Sequence, residues 1–356
     1  MQDDRVKAAE NGMPPEFSMR QYWIRRYAGH VPKLSFQGTT LAEWEAWRAE
    51  AMPRLLDLMG EFPEKAPLNP RVEAIVEEGD LLLERVVFDT ERFVSVPAWV
   101  LRRRDLPAGK RHAAILCSHG HGNHGKDPVA GRRYTPGHVA DIDAMNYDYA
   151  AQMALKGFVT MAPDLRGFGE RYDPVDAALG HDACDLNYVK GSMLGVYPLT
   201  LIVHDMKGCV DYLGTRPEVD PARIGMMGLS QGGTTTTFTA ALEPRIRAAD
   251  IIGYVNPWAG FGLDRGNYCG SQVVPGIYRW FDTHDVAGLI APRPLLIEMG
   301  KKDTCFFIED LQKGYAGVER IYRAAGCGAL LEADVGEGGH AFVGSKAPAF
   351  FRKHLG

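Results

Sequence analysis

The sequence predicts an α/β fold: a mostly parallel central sheet with helices on both faces, preceded by a helical extension. Three observations predict it. Short apolar runs recur along the chain ("HAAILCSHG", "GFVTMAPDL", "ARIGMMGLS", "AADIIGYVNPW", "RPLLIEMG"), as strands buried on both faces do. Between them lie helix-length segments such as "DYAAQMALKG", "DMKGCVDYLG" and "LQKGYAGVERIYRAAG", and such alternation implies right-handed crossovers and parallel pairing. Ahead of these runs, "VEAIVEEGDLLLERVVFDTERFVSVPAWVLRRR" is rich in Val and Leu with partial alternation, the pattern of antiparallel strands.

Taken in order, residues 1–70 read as the helical extension. In "TTLAEWEAWRAEAM", Thr40 is placed to cap a helix and Glu43 to complete a capping box. Leu41, Trp44, Trp47 and Met52 fall near one face, which reads as a docking stripe against the core, and Pro53 is expected to kink or restart the helix. Residues 71–356 form the main domain. Two stretches in it break the rhythm, 166–196 and 257–285, both long, irregular and rich in Gly and aromatics. In open α/β sheets ligands sit beyond the carboxyl ends of the strands, where such loops gather, so these are the expected pocket walls.

Composition excludes several functions. With 40 Lys+Arg against 45 Asp+Glu and a net charge of −5, the chain has no basic run to attract nucleic acid. No apolar stretch approaches the roughly 18–20 residues needed to cross a bilayer. The six cysteines form no C-x-x-C pair and read as free thiols of a reducing compartment. "MQDDRVKAAENGMPPEF" lacks the apolar region of a secretory signal, so a cytoplasmic location is expected. Whether the chain pairs with copies of itself is left open; the N-terminal helices could serve such an interface or cover the core.

The chemistry concentrates in "RIGMMGLSQGGTTTTFTAAL", where an apolar strand runs into G-L-S-Q-G-G (228–233) and a helix-compatible run follows. A serine at such a turn has strained backbone, and Gly228 and Gly232 remove the flanking side chains that would crowd it. Ser230 is therefore the candidate nucleophile. The N–H of Gln231, at the start of the following helix, can donate to an oxyanion. A neutral serine needs a base and an orienting acid, expected later in the chain as acid then histidine. Asp303 follows the strand in "PRPLLIEMGKKDTCFF", and His340 follows the next strand-like run in "LLEADVGEGGHAF". Glu298, Asp310 and Asp334 are competing acids, less well placed.

"CSHGHGNHGKD" (117–127) admits two readings. His119, His121 and His124 could be a row of metal ligands. Alternatively, the stretch is a glycine-rich loop after a strand, whose backbone N–H near His121 is the second oxyanion donor beside Gln231. Binuclear metallohydrolases with a similar H-x-H-x-D-H run have Asp where Asn123 stands, and a metal site leaves G-L-S-Q-G-G unexplained. The expected site therefore holds no metal and needs no cofactor.

"SHGHGNHGKD", "APDLRGFGER", "DPARIGMMGLSQGG", "APRPLLIEMGKKD" and "GEGGH" together carry a likeness over roughly residues 71–356. The chain resembles the α/β-hydrolases, and within them bacterial acetyl xylan esterase-like and dienelactone hydrolase-like proteins. The resemblance implies a serine esterase acting on small, acetyl-like esters, with sugar esters among the candidates. It gives Ser230 as nucleophile, His340 as base, Asp303 as orienting acid, Gln231 and His121 N–H as donors, and Asp164 and Arg166 as loop ties. The sequence departs from that group in having Arg166-Gly167-Phe168-Gly169 for R-G-Q-G, His340-Ala341 for His-Glu, and His121 where an aromatic residue is usual. Dienelactone hydrolases use a cysteine where Ser230 stands. Trp258 and His181, in the irregular segments, are candidate substrate contacts, and Trp258 with Phe261, Tyr268, Tyr278 and Trp280 could narrow an acyl pocket or form lid core. The alternatives are a prolyl-oligopeptidase-type serine peptidase, whose usual propeller is too large for seventy residues, and a non-catalytic binding protein, whose mark would be a broken triad.

Overall fold

The computed structural model describes residues 14–356, so part of the opening segment discussed above lies outside the described residues. Nine strands form one sheet: β1 (Arg71–Glu78), β2 (Leu81–Glu91), β3 (Val94–Arg103), β4 (His112–Ser118), β5 (Val159–Pro163), β6 (Val219–Leu229), β7 (Ile246–Ile252), β8 (Leu295–Gly300) and β9 (Leu331–Gly336). Their spatial order is β1-β2-β3-β5-β4-β6-β7-β8-β9. The first three strands and the β3–β5 pair are antiparallel, and β5, β4 and β6 to β9 are parallel. Each apolar run singled out in the sequence is one of these strands.

The apolar runs are continuous because both faces of the sheet are covered. Along β4, Ala114 and Leu116 enter one core cluster while Ala113, Ile115 and Cys117 enter the other. The first cluster is closed by helices α2 (Leu41–Met59), α6 (Pro198–Thr215) and α8 (Ile308–Ala324), through Leu55, Met206 and Ile321 among others. The second is closed by α3 (Pro136–Met145), α4 (Tyr149–Leu155) and α9 (Ala347–Leu355), through Met145, Met153 and Phe351. Helix α7 (Gln231–Leu242) is buried along its whole length, directly behind β6. No described helix is long and apolar enough to cross a membrane.

The N-terminal extension is less helical than its sequence suggests. Helix α1 spans Met19–Tyr27 and α2 begins at Leu41, with turns and irregular chain between and irregular chain after. Thr40 caps α2 with the expected capping box. Trp44 is buried and Trp47 donates its indole N–H to Leu34 O at 2.7 Å, so the stripe docks as expected, although Leu41 itself is 50% exposed. Pro53 does not restart the helix, which runs through it to Met59. Pro53 and Ala49, four residues before it, both face solvent. The carbonyl that proline leaves without a partner can therefore bond to water. Phe36 N–H donates to Asp285 Oδ1 at 2.9 Å and Thr200 Oγ donates to Met59 O, fastening the extension to the main body.

Candidate active site

Register lines up the carboxyl ends of the central strands. Ser118 pairs with Gly228, Leu229 with Ile252, Ile252 with Glu298, and Gly300 with Gly336. The loops leaving β4, β6, β7, β8 and β9 thus emerge side by side, and those after β4, β6, β8 and β9 carry the candidate residues.

Ser230 occupies a tight turn between β6 and α7, with φ of 62° and ψ of −114°. A non-glycine residue held at positive φ is strained and persists only where its surroundings over-determine it. Here Ser230 N–H donates to Ile252 O at 2.9 Å, and its carbonyl accepts from Thr234 N–H at 2.9 Å. A side chain at Gly232 would put Cβ 2.1 Å from Ser118 O, so the helix can start this close to β4 only with glycine there.

The loop after β8 carries Asp303, which is 5% exposed. Its Oδ1 accepts from the Cys305 and Phe306 N–H groups at 2.7 and 2.8 Å, and its Oδ2 faces His340 Nδ1 at 2.8 Å. Phe306 stacks on the His340 ring at 5.4 Å. On the other side, a Cβ at Gly253 would lie 3.2 Å from His340 Cε1 and 3.4 Å from Leu229 Cδ1, so the imidazole packs on the end of β7 next to the Ser230 turn. Ser230 Oγ makes no hydrogen bond to His340 in this structure. Such bonds are often long or poorly aligned until substrate is bound.

The competing acids serve other ends. Both Glu298 oxygens accept from the loop beyond His340, with Val343 N–H at 2.7 Å and Gly344 N–H at 3.2 Å. Asp334 accepts from Ser345 Oγ at 2.6 Å and Lys346 N–H at 2.8 Å. Asp310 pairs with Arg265 at 3.2 Å and Lys313 at 3.1 Å. Glu298 and Asp334 therefore hold down the strap that carries His340. Burial pushes Glu298 up to about 8, against the backbone N–H groups that favour its ionised form. Asp250 on β7 is fully buried, neither of its oxygens has a hydrogen-bond partner, and burial and the neighbouring Glu298 drive it well above the usual carboxylate range.

The three histidines of "CSHGHGNHGKD" do not converge. His119 is buried and held on both sides, with Nδ1 at 2.7 Å from Gly120 O and Nε2 accepting from Leu165 N–H at 3.0 Å. Burial lowers its pKa, which keeps it neutral, as that bonding requires. His124 Nδ1 faces Asp141 at 2.6 Å. The ring of His121 turns instead toward Cys184 Sγ, 3.3 Å from Nε2. Along the backbone, Gly120 N–H is taken by the Tyr147 hydroxyl, whereas the N–H groups of His121 and Gln231 have no partner among the described residues. The side chain of Gln231 is buried and tied to Ser271, donating to its carbonyl at 3.3 Å and accepting from its hydroxyl at 3.3 Å.

Asp164 and Arg166 tie loops together. Asp164 is fully buried and accepts from Lys126 N–H at 2.8 Å, Lys126 Nζ at 2.7 Å and Glu170 N–H at 3.1 Å. Arg166 bonds Asp205 through Nε at 2.8 Å, and Arg171 joins at 2.9 Å. Burial opposes ionisation of Asp205, but the two guanidinium groups outweigh it and hold its pKa near about 2. Trp258 is 6% exposed and packs in the core against Tyr278, so it is lid core and offers substrate little surface. His181 lies on an exposed loop with Asp176 at 3.7 Å.

The irregular segments contain order that their sequence hides. Helix α5 (Ala183–Leu194) lies within the first, and short helical turns at Ala259–Asp264, Gly270–Gln272 and Ile277–Arg279 lie in the second. Asp182 as N-cap and Gly195 as left-handed C-cap were the signals that could have marked α5. The segments pack on each other, with Gly270 N–H donating to Asp185 Oδ1 at 2.8 Å.

Fold and strand-end loops together have the arrangement of the α/β-hydrolases. Residues 139–257 match the model of the Dienelactone hydrolase family. YtaP of Bacillus subtilis (strain 168), named as a hydrolase, is 25% identical over 319 residues, covering 86% of this chain and 100% of its own. Among solved structures, a Bacteroides fragilis protein described as an acetyl xylan esterase superposes with a TM-score of 0.71 at 17% identity, covering 89% of this chain and 81% of its own. A glucuronoyl esterase from Solibacter usitatus superposes with a TM-score of 0.64 at 14% identity, covering 92% and 98%. At such identities the two structures speak for the fold.

Proposed function

We propose that the protein is a serine carboxylester hydrolase acting on short-chain, acetyl-like esters, with acylated saccharides as the first substrates to test. The observation that carries the reading is Ser230 held at positive φ on the β6–α7 turn, beside a His340 whose Nδ1 lies 2.8 Å from Asp303. In the proposed reaction Ser230 Oγ attacks the ester carbonyl while His340 Nε2 takes its proton. Asp303 holds the imidazole with Nδ1–H inward and stabilises its charged form. The unpartnered N–H groups of Gln231 and His121 receive the tetrahedral oxyanion. His340 then protonates the leaving alcohol, and water repeats the sequence on the acyl-enzyme.

The short acyl preference is supported by the likeness of the fold to an acetyl xylan esterase, while a buried aromatic pile holds the His340 ring in place. Tyr268 packs edge-on to Phe261 at 4.7 Å, Phe261 stacks on Phe306 at 4.0 Å, and Phe306 covers His340. The acetyl xylan and glucuronoyl esterases that share the fold support a saccharide-linked substrate. Hydrolysis of p-nitrophenyl esters of increasing chain length tests both parts. Acetate should turn over fastest and Ser230→Ala should lower kcat by on the order of 10⁴-fold or more. A preference for long acyl chains would remove the acetyl assignment, and full turnover by Ser230→Ala would remove the serine route.

A further inference from the structure

His121, Cys184 and Cys269 bring one imidazole nitrogen and two thiol sulfurs within 4.8 Å of one another, from three separate segments of the chain. We infer that these three side chains form a binding site for a single thiophilic divalent cation of the Zn²⁺ class, beside the catalytic centre. The serine mechanism uses the backbone N–H of His121 but none of these three side chains, so the inference does not rest on the proposed hydrolysis.

The donor set is the first argument. One nitrogen and two sulfurs suit a borderline-soft ion and exclude Mg²⁺ or Ca²⁺, which take oxygen ligands. Around a tetrahedral Zn²⁺ with bonds of about 2.3 Å to sulfur and about 2.0–2.1 Å to nitrogen, ligand atoms stand about 3.5–3.8 Å apart. The Cys184 Sγ to His121 Nε2 separation is 3.3 Å, and the 4.8 Å limit on the group leaves at most about 1 Å of closure to reach that spacing.

The surroundings are the second argument. Cys184 lies in the first turn of α5, held in place by Asp182, which caps that turn by accepting from Cys184 N–H at 2.9 Å. Cys269 has the Ser271 hydroxyl at 2.9 Å, which can support a thiolate ligand. Phe168 packs edge-on to His121 at 5.4 Å and fixes the plane of its ring. Cys184 is buried, Cys269 half-buried and His121 exposed, so the cluster lies at the edge of the packed interior. A cavity of about 490 Å³ is lined by Cys184 and Ser271 together with Arg166, Asn187 and Lys190. Neither Cys184 nor Cys269 is in a disulfide.

The test is titration of the reduced, intact protein with Co²⁺ as a spectroscopic probe and with Zn²⁺. A near-ultraviolet thiolate-to-cobalt band should saturate at one equivalent and disappear on adding Zn²⁺. Cys184→Ser and Cys269→Ser should each weaken binding by about 100-fold or more, and Zn²⁺ should raise the thermal midpoint of the wild type but not of these variants. An absent band in the wild type, or an equal band in the doubly substituted protein, would overturn the site. Should either variant fail to fold, the wild type decides: one equivalent of Zn²⁺ must protect Cys184 and Cys269, and not Cys305, from iodoacetamide, and equal labelling of all three overturns the proposal.

Discussion

At the scale of single residues, the site depends on a few groups that cannot be changed conservatively. Asp303 uses one oxygen on backbone N–H groups and the other on His340, so it fixes both the loop and the imidazole. Asp303→Asn keeps the shape but can present an amide N–H to Nδ1, which imposes the wrong tautomer. A fall in kcat on the order of 10³–10⁴-fold is expected, with little change in KM, measured on p-nitrophenyl acetate. Gly232→Ala would place a methyl 2.1 Å from Ser118 O and should cost several kcal/mol of stability, a loss of about 2–4 kcal/mol by urea unfolding. The sequence made the Ser230, Asp303 and His340 positions legible because each follows an apolar run in the order such a fold requires. It could not reveal the His121–Cys184–Cys269 cluster. His121 and Cys184 stand 63 residues apart, and only the packing of two irregular loops brings Cys269 to them.

At the scale of elements, the strands were legible because burial on both faces makes each an unbroken apolar run. Helix α5 was not, because its composition is mixed and most of its residues stay partly or fully exposed, leaving no apolar stripe to read. Pro53 reads in the sequence as a kink or restart of its helix; the helix does not restart there, and the carbonyl left without a partner lies on a side that faces water. The capping box at Thr40 and Glu43 was read correctly from spacing alone. Thr40→Ala should cost about 1 kcal/mol by urea denaturation, with esterase turnover unchanged, since the cap only secures α2 against the body. The strap after His340 is a different matter. Glu298→Ala leaves the Val343 and Gly344 N–H groups without an acceptor beside His340, and should lower both stability, by about 2–4 kcal/mol, and kcat.

At the scale of the whole molecule, the sheet concentrates buried carboxyl groups on adjacent strands. Asp250, Glu298 and Asp334 stand on adjacent strands β7, β8 and β9, all buried. Folding raises the pKa of Asp250 and Glu298, so their contribution to stability is complete below the unfolded value of about 4. It is lost as pH rises, for Glu298 through about 8. The thermal midpoint should therefore fall between about pH 5 and about pH 9, and Asp250→Asn should flatten that decline without harming stability at the acid end. An unchanged slope in Asp250→Asn would show that the buried carboxylates are not its source. The opposite sign holds for Asp205, whose arginine partners contribute stability above about pH 4 that disappears as pH falls toward about 2.

The central claim is that Ser230 is the nucleophile, and covalent labelling tests it most directly. The intact protein, treated with a short-chain p-nitrophenyl phosphonate and digested, should carry one phosphonate per chain on the peptide containing Ser230. Loss of p-nitrophenyl acetate hydrolysis should track that label, and Ser230→Ala should take up none. A label on another residue, or full activity in a protein labelled at Ser230, would contradict the account.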